Sequence, residues 1–68
     1  MVRVEKVRWN DGQRNAVLDL HVSTAAELPD IDSMIGGFRL KAGSTAQIVQ
    51  TGEFVTLDKD GTWYPEQS

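Results

Sequence analysis

The stretch "NAVLDLHV" at residues 15–22 governs how the rest of the chain is read. Ala16, Leu18, Leu20 and Val22 fall on one face of an extended chain, Asp19 and His21 on the other, with Val17 the exception. A period of two marks a strand with one face on a core and one in water. Just upstream, "NDGQRN" at 10–15 supplies turn chemistry, and Asp11-Gly12 is its sharpest hairpin signal. The opening "VRVEKVRW" at 2–9 is therefore expected to pair antiparallel with it. Its apolar residues do not alternate cleanly, because Val2 and Val4 share one face while Val7 and Trp9 share the other. Either a bulge near Glu5-Lys6 re-aims the chain, or both faces are partly covered.

Downstream the pattern changes. Thr24-Ala-Ala-Glu27 fits a capping box, in which the Thr hydroxyl caps a backbone N–H and the Glu returns the bond. Pro29 pushes Leu28 out of the α region, so only a single helical turn fits there. Gly36-Gly37 then predicts an irregular loop, with Leu28, Ile31 and Ile35 or Met34 plugging one open end of the sheet. From Phe38 the strand signal returns: "FRLKAG" ends at Gly43, and "STAQIVQ" and "EFVTLD" flank a tight connection at Thr51-Gly52. "TWY" pairs back across Asp58-Lys59-Asp60-Gly61. The expectation is one all-β domain over residues 1–68, a small antiparallel sandwich or partly open barrel of five to six short strands with one short helical turn. The tail 65–68 is expected to fray.

Size and composition narrow the function classes. A chain of 68 residues buries about 60% of its unfolded surface and has a small core. It holds no cysteine and one histidine, His21, so neither disulfides nor a Cys/His zinc site can staple it. Good packing or partner subunits must do so instead. The net charge of −3 and the interleaving of Arg3, Lys6, Arg8 and Arg14 with Glu5 and Asp11 argue against nucleic acid as a partner. No apolar run approaches the roughly 20 residues of a membrane span, and "MVRVEKVRW" lacks the apolar core of a signal peptide. The expected compartment is the cytoplasm or a particle assembled there.

Few residues suggest chemistry. Asp58-Lys59-Asp60-Gly61 could begin a calcium loop, but the fifth and seventh positions are Thr62 and Tyr64, and the twelfth falls beyond Ser68. A β-turn with Gly61 at φ > 0 explains it better. Asp19 and His21 share the polar face of a strand without a nucleophile or second carboxylate beside them, which reads as a solvated or cross-strand polar pair. Asp30 and Asp32 read as turn and helix caps. "GSTA" at Gly43–Ala46 lacks the Gly-Lys-Ser/Thr of a phosphate loop and reads as a strand entry. The chain is thus read as non-enzymatic, with no catalytic, cofactor-binding or metal residue. Trp9, Phe38, Phe54, Trp63 and Tyr64 supply bulk, the two tryptophans anchoring the packing unless one is exposed as a contact hot spot.

Four segments carry a resemblance: "AELP" at Ala26–Pro29, "GSTA" at Gly43–Ala46, "TGE" at Thr51–Glu53 and "LDKDGTWY" at Leu57–Tyr64. Over the two-thirds of the chain from Thr24 onward, the sequence resembles small β-rich structural and accessory proteins of prophages in Gram-positive bacteria. Residues 1–23 have no counterpart there. The resemblance implies a head-, tail- or fibre-associated component of a bacteriophage virion, located in the virion or in the host cytoplasm during assembly. Its partners would be protein, either copies of itself or other virion proteins, and it would carry no catalysis. On the residues alone, Val7 and Trp9 are the expected interface, with Trp63 and Tyr64 as further contact aromatics. A saccharide-binding β-module using Trp63 and Tyr64 is the alternative.

Overall fold

A computed structural model describes residues 1–66. Its elements are β1 (Val2–Asn10), β2 (Asn15–Val22), a single 3-10 turn (Ala25–Glu27), β3 (Met34–Ile35), β4 (Phe38–Leu40), β5 (Thr45–Ile48), β6 (Glu53–Leu57) and β7 (Trp63–Pro65). The fold is all-β, built on one seven-stranded sheet in the order β3-β4-β2-β5-β6-β7, with β1 on the other edge of β2. Of the tail expected to fray, Pro65 closes β7 and the Glu66 amide donates to Phe54 O at 2.9 Å, while residues 67–68 lie outside the described residues.

Strand β2 is the spine. Ala16, Leu18, Leu20 and Val22 are all buried, as the period-two pattern requires, and they form the core with Leu40, Ala46, Ile48, Val55 and Leu57. Burying a Leu or Val side chain fully contributes about 1.5–3 kcal/mol, so this face dominates the driving force. Hairpins β1-β2, β5-β6 and β6-β7 are antiparallel, as the turn signals indicate.

The sheet is mixed rather than purely antiparallel, and it has one strand more than the upper count expected. Both β4 and β5 run parallel to β2, Asn15 and Ala16 pairing with Arg39 and Leu40, and Asp19–Val22 with Thr45–Ile48. They are two halves of one path along the same edge of β2, broken by Lys41–Ser44. Gly43, at φ 95°, does interrupt the strand as its position suggests. The chain jogs there without reversing direction, because the Asp19–Val22 half of that edge still needs partners.

The break is bridged by one side chain. Ser44 is fully buried, its hydroxyl accepting from the Leu18 amide at 3.1 Å and donating to Lys41 O at 2.7 Å. It stands between the two backbone groups that a continuous ladder would join directly.

Strand β1 resolves its conflict with two bulges. Register shifts fall between Val4 and Lys6 and between Val7 and Trp9. The first, at Glu5, brings Val4 opposite Leu20 and Val7 opposite Leu18, so both pack on the core. The second, at Arg8, sets Trp9 opposite Val17 on the solvent face. The expected split of Val7 with Trp9 on one face therefore does not occur.

Residues 23–33 form the crossover, and the irregular loop expected through Gly36-Gly37 is instead a hairpin turn, Met34 and Ile35 of β3 pairing antiparallel with Arg39 and Phe38 of β4. Thr24 N donates to Glu27 Oε1 at 3.2 Å, the return half of the capping box, and Leu28 leaves the turn at φ −59°, ψ 123° as Pro29 demands. Leu28, Ile31 and Ile35 pack on the core, whereas Met34 is exposed. This crossover grips both ends of the sheet: the amino terminus pairs with Glu27, and the Trp63 indole N–H donates to Pro29 O at 2.8 Å. The two attachment points, at Glu27 and Pro29, tie the crossover to the residue that precedes β1 and to the first residue of β7.

Candidate interaction surface

The pleat and the pairing register place side chains on the outer face in rows. One row runs Tyr64, Thr56, Thr45, Asp19, Lys6 and the next Phe54, Gln47, His21, Arg3. Trp9 and Val17 lie beyond them on the β1-β2 flank. Three aromatics on this face are left open, Trp9 at 55% exposure, Phe54 at 52% and Tyr64 at 47%.

The four expected contact residues are not brought together. Trp9 and Tyr64 point outward from opposite flanks. Val7 and Trp63 point inward and are partly buried against the core. Trp63 also commits its only donor to Pro29 O. Phe54 was missed as a contact residue, although alternation in "EFVTL" puts it opposite to the buried Val55 and Leu57.

Polar groups of the outer face are tied across strands. Asp19 accepts from Arg8 Nε at 2.6 Å and from the Thr45 hydroxyl at 2.7 Å. His21 Nδ1 lies 3.3 Å from both Arg3 Nη2 and Glu5 Oε1, and Arg3 Nε is 2.9 Å from Glu5 Oε2. Asp19 and His21 thus each face β1, as a cross-strand reading expects. Arg8 further donates to Gly43 O, which anchors the bulged residue over the jog between β4 and β5. Asp32 pairs with Lys41 at 2.6 Å, and this lysine holds its carboxyl below the usual carboxylate range. An ion pair is what occupies that carboxylate, where capping was expected.

Asp58–Gly61 is a turn. Gly61 N donates to Asp58 O at 2.9 Å and Asp58 N to Thr62 O at 3.0 Å, with Gly61 at φ 84°. The two Asp60 oxygens accept from different partners, the Tyr64 hydroxyl at 2.7 Å and the Thr62 amide at 2.8 Å. These bonds lower the Asp60 carboxyl from its ordinary value, the Tyr64 hydroxyl contributing most, and the same bond raises the Tyr64 phenol. Among the described residues no three His, Asp or Glu side chains converge on a common point.

No known protein family, curated protein or solved structure matches the chain.

Proposed function

We propose that this protein is a non-enzymatic structural or accessory component of a bacteriophage particle that works by docking to protein. The observation that carries the docking half is the exposure of Trp9, Phe54 and Tyr64 on the outer face of a sheet whose inner face already holds the core. Exposed aromatics on a rigid scaffold are the side chains that most often anchor protein contacts. The particle half comes from the resemblance over Thr24 onward. The second bulge of β1 supports the same reading, since it spends a residue to turn Trp9 outward where regular pairing would have sent it inward.

The saccharide alternative used Trp63 with Tyr64, and it is weakened by their surroundings. Trp63 packs inward with its N–H engaged, and the Tyr64 hydroxyl is already donated to Asp60. The decisive experiment is induction of a prophage carrying this gene, followed by gradient purification of particles and immunoblotting. The chain is expected to co-purify with particles, and Trp9→Ser to reduce its share. Recovery of the wild-type chain only in the soluble fraction would overturn the proposal.

A further inference from the structure

The two apolar flanks of the outer face differ in charge. On the β1-β2 flank, Trp9 and Val17 lie beside Arg8 and the Lys6–Asp19 pair, with Arg3 and Glu5 farther along β1, three cations against two anions. Arg3 and Arg8 are paired within the flank, and Lys6 makes no ion pair among the described residues. On the β6-β7 flank, Phe54 and Tyr64 lie among Asp58, Asp60 and Glu66, with Lys59 the one cation, so anions exceed cations by three to one. Each flank thus presents aromatic surface edged with charge opposite to that of the other.

Sheet order decides how such flanks can meet. The β1-β2 flank and the β6-β7 flank lie at opposite sides of the sheet, with β5 between β2 and β6. A contact that laid either flank on the same flank of a second copy would oppose like charges. Pairing through the β7 and β1 edges is also obstructed. Pro65 removes the N–H that would face outward from β7, because the neighbouring Glu66 amide points at β6. The two bulges in β1 break the regular edge on the other side.

We infer that the chain self-associates head to tail, the Trp9–Lys6 flank of one copy seating on the Phe54–Tyr64–Glu66 flank of the next. The contact is heterologous and builds a ring if its rotation closes, or a filament if it does not. This rests on the docking reading above and names its partner as a second copy of the chain.

Sedimentation velocity from micromolar to millimolar protein tests it. The average mass should rise with concentration and fall with added salt, since exposed charges are screened within about 10 Å at 0.1 M. K6E alone and E66K alone should each weaken association at least tenfold, while an equimolar mixture of the two should restore it through the reversed pair. Circular dichroism of each variant confirms that the fold survives. A monomer at every concentration overturns the inference, and so does association that neither variant weakens or that the mixture fails to restore. Particle co-purification is read separately, so a monomeric chain found on particles would sink self-association and leave docking standing.

Discussion

The Ser44 hydroxyl sits 3.1 Å from the Leu18 amide at the centre of the sheet and passes the bond on to Lys41 O at 2.7 Å. Only a group that both accepts and donates can fill this position, and it must be small, because Ser44 has no exposed surface. Ser44→Ala leaves the buried Leu18 amide without a partner. The expected loss is about 1–3 kcal/mol in urea-induced unfolding. An unchanged midpoint and slope would mean that the seam between β4 and β5 does not depend on this hydroxyl.

Gly61 combines two constraints. Its φ of 84° disfavours any side chain, and a Cβ there would lie 3.2 Å from Ile31 Cγ2 in the crossover. Gly61→Val should cost about 1–3 kcal/mol, with or without calcium. Wild-type Tm should be the same in calcium and in EDTA, since binding to the native state alone would raise it. A calcium-dependent Tm would contradict the turn reading.

The Asp60–Tyr64 bond makes two opposite pH signatures. The Asp60 carboxyl is lowered in the folded state, so its contribution to stability is present above the unfolded value near 3.9 and fades as pH falls through the lower folded value. The Tyr64 phenol is raised, so its contribution is present below about 10 and fades as pH rises through the folded value. Tyr64 is the single tyrosine of the chain, so ultraviolet titration of tyrosinate reads it alone. Asp60→Asn should bring the midpoint back toward that of a free tyrosine, and an unmoved midpoint would refute the pairing.

The two tryptophans should separate cleanly. Trp63→Ala removes an anchored, core-facing ring and is expected to cost about 3 kcal/mol, whereas Trp63→Phe should cost about 1 kcal/mol for the lost bond to Pro29 O. Trp9→Ser should change monomer stability by about 0.5 kcal/mol or less, as for other surface sites. Acrylamide should quench the Trp9 emission of Trp63→Phe far more than the Trp63 emission of Trp9→Ser. Equal quenching would place both rings in the same environment.

Deletion of one residue tests the bulges. Removing Glu5 takes out the extra residue and leaves Val4 opposite Leu20 and Val7 opposite Leu18. Removing Asp19 from β2 instead turns the alternation of Leu18 against Leu20 inside out. The first variant should fold with a loss of about 1 kcal/mol, and the second should not fold. Chemical denaturation with heteronuclear NMR spectra of both distinguishes these outcomes, and comparable damage from the two deletions would argue against the register seen here.

Local chemistry was legible wherever neighbours in sequence decide the matter. The alternation of "NAVLDLHV" set the core face of β2, Asp11-Gly12 and Thr51-Gly52 set two hairpins, and Pro29 limited the helix to one turn. A bulge near Glu5 was one of two readings the sequence left open, the other being partial cover on both faces, and the register against β2 decides for the bulge. What only the tertiary structure decided are relations between distant edges. Gly43 announces a break, yet whether the chain reverses or jogs there depends on the half-edge of β2 left unpaired at Asp19–Val22, which lies more than twenty residues away. The second bulge, and with it the exposure of Trp9, follows from the register against Val17 and from Arg8 reaching Gly43, neither of which composition or period can supply. Ser44 looked like an ordinary strand entry for the same reason. Its hydroxyl acquires a role only once two strands that do not pair with each other are laid end to end along a third.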